Sequence, residues 1–148
     1  MSEDVAEYVK GLRGFLDRHD FKLQSDIEAE LRVVTDYDAM RRVVESLVEN
    51  AVKYSGDRRE ALLALRRDGN SVKVTVTDYG NGIPTDQINK VFNAFYRVGD
   101  EMTRQIKGTG LGLYLVREIV AAHGGESAIA SKGENQGTVV TITLPSAT

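Results

Sequence analysis

The segment from Tyr37 to Tyr54 constrains the fold of this chain more than any other part of it. Its apolar residues recur at the i, i+3, i+4, i+7 spacing of one helix face, and Asp36 stands where an N-cap is needed. These apolar residues are Met40, Val43, Val44, Leu47, Val48, Ala51 and Val52. The pattern predicts a long amphipathic helix that buries one side against the rest of the domain.

Helical and strand patterns follow each other irregularly in the remainder of the chain. Predicted helices cover Val5–Asp17, Thr85–Val91 and Leu111–His123, the last one stopped by Gly124 and Gly125. Predicted strands cover Phe21–Ser25, Leu31–Val34, Glu60–Arg67, Ser71–Thr77, Glu126–Ser131 and Thr138–Leu144, with a hairpin turn at Asp68-Gly69-Asn70. Because regular βαβ alternation is missing, we expect an α+β fold, a two-layer α/β sandwich with helices over one face of a mixed sheet.

Length and composition narrow the class of protein. A chain of 148 residues fits one domain, so we expect residues 1–148 to form a single unit. The net charge of −3 argues against nucleic acid or an anionic membrane surface as a partner. No apolar run approaches the roughly 18 residues of a membrane span, and the acidic N-terminus is unlike a signal peptide, which predicts a cytoplasmic location. With no cysteine and two scattered histidines, the sequence offers no zinc site.

A polar strip borders the apolar face of the long predicted helix. At about 100° per residue, Ser46, Asn50, Lys53 and Tyr54 fall on this strip. An Asn can offer a neutral oxygen to Mg²⁺, a Lys a charge to phosphate, and a Tyr a flat ring to a base. The strip can therefore serve a ligand, although a solvated helix edge is the alternative interpretation.

Asp78 continues the inward alternation of the strand that precedes it, so its carboxylate is predicted to point into the core. A buried carboxylate needs donors, because desolvation otherwise raises its pKa. The glycine-rich turn Tyr79–Pro84 lets the backbone approach a flat ring, and an exocyclic amino group is a fitting partner. Thr138, which points inward on the last strand, could join Asp78 through a water. The alternatives are an Asp that caps its own turn and a Thr bonded to the backbone.

Three glycines at alternate positions lead into the last predicted helix. The segment Lys107–Leu113 places Gly108, Gly110 and Gly112 at a helix N-terminus, where exposed backbone N–H groups bind anions. Lys107 adds a positive charge, so the segment suits polyphosphate. It is neither a P-loop nor the dinucleotide-binding fingerprint, because the residues and the spacing of both are missing. Close packing of the helix is the alternative reason for the glycines.

The stretch before these glycines is predicted to form a mobile lid. Phe92 and Phe95 would anchor its base in the core, and the residues that follow are polar without apolar periodicity. Arg97, Arg104 and Lys107 could reach a terminal phosphate from such a lid. Ordinary solvation of basic side chains on a loop is the alternative.

In order and spacing, four segments resemble the motifs of the histidine kinase catalytic domain, a branch of the GHKL ATPase superfamily. Glu49–Tyr54 resembles the N box, Asp78–Pro84 the G1 box, Phe92–Arg97 the F box, and Gly108–Leu113 the G2 box. The resemblance covers nearly all of the chain and implies a Bergerat-type site for ATP and Mg²⁺. The F box followed by Gly-Thr-Gly-Leu-Gly-Leu favours sensor kinases over the other branches.

This resemblance also implies roles for residues of the two predicted central elements. Asn50 would bind Mg²⁺ and Lys53 a phosphate. Tyr54 would lie beside the nucleotide, and Asp78 would accept from the adenine amino group. Ser46 departs from the family pattern, because many members carry a second Asn at that position.

By the same resemblance, Arg97 and Lys107 would contact the terminal phosphates and would form the catalytic set together with Asn50. The further residues expected at the nucleotide are Gly80, Gly82, Ile83, Tyr96, Gly108, Thr109, Gly110, Leu111, Gly112, Leu113 and Thr138.

The phosphoacceptor histidine of a sensor kinase has no counterpart in this sequence. His19 lies in a predicted helix-to-strand connection, and His123 ends a helix, where an imidazolium would complement the helix dipole. We interpret both as structural. The resemblance then implies phosphorylation of a histidine on the kinase's own dimerisation and phosphoacceptor helices, with a response regulator receiver domain as an indirect partner. Without those helices we predict a monomer, which could form the cytoplasmic portion of a membrane-bound sensor.

Three other functions stay open at this point. An anti-sigma-factor serine kinase would use the same nucleotide fold on a protein hydroxyl, and a gyrase-type hydrolase would need an acidic base. An acid in place of Ser46 would favour either of them. A nucleotide-dependent interaction module would use ATP only to order the lid for a partner. The presence of Asn50, Asp78 and the G2 glycines argues against a fully degenerate site.

Overall fold

A computed structural model describes residues 1–80, 112–131 and 137–147. Within these ranges the helices are α1 (Ser2–Gly11), α2 (Arg13–Arg18), α3 (Tyr37–Tyr54) and α4 (Gly112–Ala122). The strands are β1 (Lys22–Ile27), β2 (Glu60–Asp68), β3 (Ser71–Asp78), β4 (Glu126–Ala130) and β5 (Thr138–Pro145). The predicted short helix Thr85–Val91 lies outside the described residues.

The described strands form one mixed sheet in the order β1-β2-β3-β5-β4. Strands β1 and β2 run parallel, and each other neighbouring pair runs antiparallel. Apolar side chains from the helices and from one face of the sheet form a shared core. The α+β class with helices over a mixed sheet is therefore confirmed.

Helix α3 is the central element of the helical layer, and its predicted features are confirmed. The Asp36 carboxylate accepts a hydrogen bond from the Ala39 N–H at 2.9 Å, which caps the first turn. All seven apolar residues of the predicted stripe are buried. The helix thus lies with its apolar side on the sheet and its polar strip at the edge of the core. No helix in the described ranges is long and apolar enough to cross a membrane.

The two strands at the centre of the sheet follow the predicted alternation. Gly69 and Asn70 form the two-residue turn of the β2–β3 hairpin, and Gly69 has a φ of 59°. Along β3 and β5, every second side chain is buried. The inward residues are Val72, Val74, Val76 and Asp78 on β3, and Thr138, Val140, Ile142 and Leu144 on β5. The inward rows of β3 and β5 therefore both finish with a polar side chain, Asp78 and Thr138, at the same edge of the core.

The first predicted helix is divided in the structure. One continuous helix was expected over Val5–Asp17, but α1 ends at Gly11 and α2 begins at Arg13. Glycine has a low helix propensity, which accounts for an interruption beside Gly11. Leu12 lies at the break and Leu16 beyond it, and both are buried in the core.

The predicted strand Leu31–Val34 is wrong. Leu31 is buried, but its backbone bonds to the N-terminal segment: its N–H donates to Ser2 Oγ at 2.9 Å, and its carbonyl accepts from the Met1 amine at 2.9 Å. The Arg32 carbonyl accepts from the Ala147 N–H at 2.8 Å. Leu31 and Arg32 therefore bond to residues near the two chain ends, and these hydrogen bonds are not those of a sheet ladder.

Candidate functional site

The polar strip of α3 lies where the sequence pattern predicted it. Ser46, Asn50, Lys53 and Tyr54 are each half-buried, beside neighbours that are fully buried. The ammonium of Lys53 lies 5.4 Å from the centroid of the Tyr54 ring. The last turn of α3 thus presents a cation and an aromatic ring side by side.

Asp78 is buried at the end of β3, with 5% of its surface exposed. Its register partner on β5 is Thr138, which is also buried. Burial raises the pKa of the Asp78 carboxyl to about 6, against the opposing effect of backbone N–H bonds from Gly80 and Thr138. The bond from Gly80 measures 3.0 Å. The predicted inward carboxylate is confirmed, and the predicted water between it and Thr138 stays a prediction.

A close backbone contact brings the end of β3 against the end of α3. Gly80 packs so tightly that a Cβ at its position would overlap the carbonyl of Tyr54 and the backbone of Ser55. A glycine is therefore required here for steric reasons. The contact sets the distance between the Asp78 carboxylate and the last turn of α3, which carries Lys53 and Tyr54.

Gly137, just before β5, contacts the backbone at the end of β3, and the sequence analysis did not assign it to the site. Its φ is 76°, and a Cβ there would meet the Asp78 carbonyl oxygen at 2.5 Å. Its N–H donates to the Gly80 carbonyl at 3.3 Å, and its own carbonyl accepts from Ser131 Oγ at 2.8 Å. The available signal was a glycine immediately before the inward-facing Thr138.

A second buried group missed by the sequence analysis is Ser55, which directly follows α3 and is 1% exposed. Its hydroxyl donates to the Val52 carbonyl at 3.1 Å and accepts from Arg59 Nη1 at 2.6 Å. The sequence offered no signal for this pair, because neither residue belongs to an apolar pattern or to one of the four boxes.

Helix α4 supplies the other helical wall near the site. It packs along α3, begins at the exposed Gly112, and has the half-buried Leu113 against the core. The remaining expected site residues lie outside the described residues, as do Arg104 and the predicted lid. Those site residues are Gly82, Ile83, Tyr96, Arg97, Lys107, Gly108, Thr109, Gly110 and Leu111.

Both histidines have structural contacts. The His123 Nδ1 lies 2.8 Å from the Ile119 carbonyl, and its Nε2 accepts from the Asp36 N–H at 3.2 Å. The two ring nitrogens thus contact backbone groups of α4 and of the residue before α3, which agrees with a structural role for His123. The His19 carbonyl accepts from Arg59 Nη2 at 2.8 Å, and the residue follows α2, in the predicted connection.

Glu49 on α3 is a further acid whose pKa is shifted. Partial burial, with the nearby charge of Glu45 as a smaller cause, raises the pKa of Glu49, which directly precedes Asn50. In the described part of the chain, no group of three or more His, Asp or Glu side chains could hold a metal ion. A cation at this site would therefore depend on ligands such as the Asn50 amide oxygen and on a bound anion.

Comparison with known proteins gives a consistent set of relatives. A family model for histidine kinase-, DNA gyrase B-, and HSP90-like ATPases matches residues 35–148. The sensor histidine kinase WalK of Bacillus subtilis (strain 168) is 33% identical over 148 residues, which cover 94% of this chain and 24% of that protein. The sensor protein kinase WalK of Staphylococcus aureus (strain JH9) is 42% identical over 112 residues, covering 74% of this chain and 18% of that protein. The chain spans a quarter or less of the length of these curated relatives.

Two solved structures show the same fold. The mycobacterial sensor histidine kinase MprB matches with a TM-score of 0.78 and 26% identity, over 99% of this chain and 94% of that one. The catalytic domain of the histidine kinase ThkA matches with a TM-score of 0.78 and 26% identity, over 98% of this chain and 91% of that one.

Proposed function

This chain belongs to the family of histidine kinase-, DNA gyrase B- and HSP90-like ATPases, and from that premise we propose its reaction and its site. It binds Mg-ATP and transfers the γ-phosphate to a histidine on the phosphoacceptor helices of its own kinase, which lie outside this chain. Its similarity to WalK and MprB, both sensor histidine kinases, supports this function over the other branches of the family.

The observation that carries the proposal is the buried carboxylate of Asp78 beside the last turn of α3. Asp78 is 5% exposed, and burial raises the pKa of its carboxyl to about 6, so the group is ionised near neutral pH at an energetic cost. A ligand amino group offsets that cost by donating to it. Adenine has such a group and also a flat face that Tyr54 can cover, so Asp78 and Tyr54 together favour an adenine nucleotide.

The phosphate end of the site begins on α3. Lys53 carries an ammonium group suited to a phosphate oxygen, and Asn50 lies one helical turn before Tyr54 with a neutral oxygen for Mg²⁺. Magnesium fits this donor set because it keeps several waters and takes its other ligands from phosphates. When bound, it would neutralise negative charge on the phosphates. Arg97, in the F box, and Lys107, directly before the G2 box, are assigned to the terminal phosphates.

The transfer itself is a displacement at phosphorus. An imidazole nitrogen of the acceptor histidine forms a bond to the γ-phosphorus, the bond from that phosphorus to the bridging oxygen breaks, and ADP leaves with the electron pair. The contribution of this chain is to hold ATP by its base and phosphates, so that the γ-phosphate is presented to the incoming histidine. The acid or base that handles the imidazole proton belongs to the acceptor helices.

Within a two-component system, the full protein would then pass the phosphoryl group to a response regulator receiver domain. We assign residues 1–148 to one ATP-binding domain in the cytoplasmic part of such a sensor. The low net charge of −3 supports a protein partner over nucleic acid. The isolated domain is expected to be a monomer, because the dimerising helices are separate from it.

Calorimetric titration of ATP into this chain, with and without Mg²⁺, tests the nucleotide assignment. Asp78→Asn is the key variant, because it is almost isosteric and replaces the charged acceptor of the adenine amino group. We expect binding by the parent chain and at least a tenfold loss in the variant, or about 1.4 kcal/mol of binding free energy. If the folded parent chain shows no binding at millimolar ATP, the site is degenerate and an interaction module that works without nucleotide is the better description.

Phosphotransfer is tested separately by adding the phosphoacceptor helices of the full protein and radiolabelled ATP. Label that appears on the helices as an acid-labile, base-stable phosphate indicates a phosphohistidine. An acid-stable phosphate on a serine or threonine would instead support a serine kinase. Release of inorganic phosphate without protein labelling would support a hydrolase.

A further inference from the structure

Arg59 connects three parts of the chain through one guanidinium group. Its Nη1 donates to the Val52 carbonyl at 3.2 Å and to Ser55 Oγ at 2.6 Å, and its Nη2 donates to the His19 carbonyl at 2.8 Å. The guanidinium carbon also lies 5.4 Å from the centroid of the buried Phe21 ring. These contacts join the end of α2 to the end of α3.

The contacts on α3 involve groups that the helix itself leaves unpaired. Helix α3 ends at Tyr54, so the Val52 carbonyl is among the last four, which have no N–H partner within the helix. It accepts instead from Ser55 Oγ and from Arg59. A cation at this end of a helix is also favoured by the helix dipole. Arg59 thus closes the last turn of α3, the turn that carries Lys53 and Tyr54.

The same turn is also in close contact with Gly80, two residues after Asp78. The backbone of Tyr54 and Ser55 touches Gly80 so closely that no Cβ fits between them. Ser55 is 1% exposed, and it contacts Gly80 through its backbone and the guanidinium of Arg59 through its hydroxyl. A shift of this turn would change the separation between the Asp78 carboxylate and the Tyr54 ring.

We propose that Arg59 is a positioning residue of the nucleotide site, which fixes the last turn of α3 relative to Asp78 and ties it to the end of α2. The inference rests on the proposed ATP site and adds to it a residue outside the four boxes. It acts through Ser55 and the backbone of Tyr54, with no contact to ATP required. A lysine is an inadequate substitute, because one ammonium lacks the planar fork that reaches the carbonyls of His19 and Val52 together.

The test compares Arg59→Lys and Arg59→Gln with Arg66→Ala as the matched control. Arg66 also links two elements, through an ion pair from β2 to Asp26 of β1, but its side chain is exposed and it follows the last buried residue of β2. ATP dissociation constants are measured by calorimetry at a temperature where urea titration shows each variant to be fully folded. A residue that merely stabilises the fold then leaves the dissociation constant unchanged, whatever it does to the unfolding midpoint.

We expect the ATP dissociation constant to be about tenfold higher for both Arg59 variants and to change by less than twofold for Arg66→Ala. The effect should also depend on Tyr54: in a Tyr54→Leu background, Arg59→Lys should weaken binding by less than about threefold. Such non-additivity shows that Arg59 acts through the turn that presents the ring.

Two results would overturn the inference while leaving the ATP site intact. One is an ATP affinity in both Arg59 variants that equals that of the parent chain. The other is that Arg59→Lys lowers the ATP affinity by the same factor with and without the Tyr54 ring. A folded parent chain that binds no ATP would instead refute the proposed function, and the role of Arg59 with it. The behaviour of the parent chain therefore separates the two failures.

Discussion

Replacing Asp78 by asparagine should make the unfolding free energy less dependent on pH, by an amount that follows from the burial of the carboxyl. Its pKa is raised from 3.8 to about 6, so between these values the folded chain binds more protons at this site than the unfolded chain. Stability from this group is fully present below pH 3.8 and is lost as the pH rises through about 6. At about 1.4 kcal/mol per pKa unit, the shift corresponds to about 3 kcal/mol.

Asparagine has no such titration, although its amide needs new hydrogen-bond partners at a cost of about 1–3 kcal/mol. That cost is independent of pH and cancels in a comparison between pH values. The unfolding free energy of Asp78→Asn minus that of the parent chain should therefore rise by between about 2 and 3 kcal/mol from pH 4 to pH 7.5, because a small part of the shift already lies below pH 4. Near neutral pH, the variant should be as stable as the parent chain or more so, while it binds ATP poorly.

Urea titrations followed by circular dichroism at pH 4, 5, 6 and 7.5 measure this difference, since the chain has no tryptophan for fluorescence. The matched control is Val76→Ala, which perturbs a buried neighbour on the same face of β3 without adding or removing a titrating group. Its difference from the parent chain should be the same at every pH. A constant difference for Asp78→Asn as well would refute the reasoning, because the carboxyl would then carry no burial cost.

The other predictions concern the site backbone, the helix cap, and the ligand. Gly80→Ala should destabilise the chain by at least about 2 kcal/mol in urea titrations and weaken ATP binding, because its Cβ would overlap the backbone of Tyr54 and Ser55. Gly137→Ala should cost about 1–3 kcal/mol, since its φ of 76° is strained for alanine; an unchanged midpoint would contradict this. Asp36→Ala should cost about 1 kcal/mol through loss of the α3 cap, with ATP affinity retained. Adenosine has no phosphate to titrate, so the pH dependence of its binding reports on Asp78. Its affinity, followed by NMR, should fall by up to about tenfold per pH unit below 6. An affinity that does not change with pH would contradict a role for ionised Asp78.

Much of the fold follows from local patterns that are visible in the sequence. The helical period over Tyr37–Tyr54 and the strict alternation in β3 and β5 each fix which side chains face the core, because side-chain direction repeats every 3.6 or 2 residues. The inward carboxylate of Asp78 follows from the same alternation. Where apolar content was the only signal, the prediction failed: Leu31 is buried, but its backbone partners are Met1 and Ser2 instead of a strand.

The family, the central helix, the alternation of the strands and the chemical types available to the site could all be inferred from residue patterns along the chain. Which of those groups meet became visible only once the elements were packed together. The pairing of Asp78 with Thr138, the contact of Gly80 with the end of α3, and the hydrogen bonds of Arg59 each join residues from different elements. The physical reason is that periodicity specifies the direction of a side chain relative to its own element, whereas a contact also depends on how the elements pack. Packing is set by the whole core, so no single segment of the sequence encodes it.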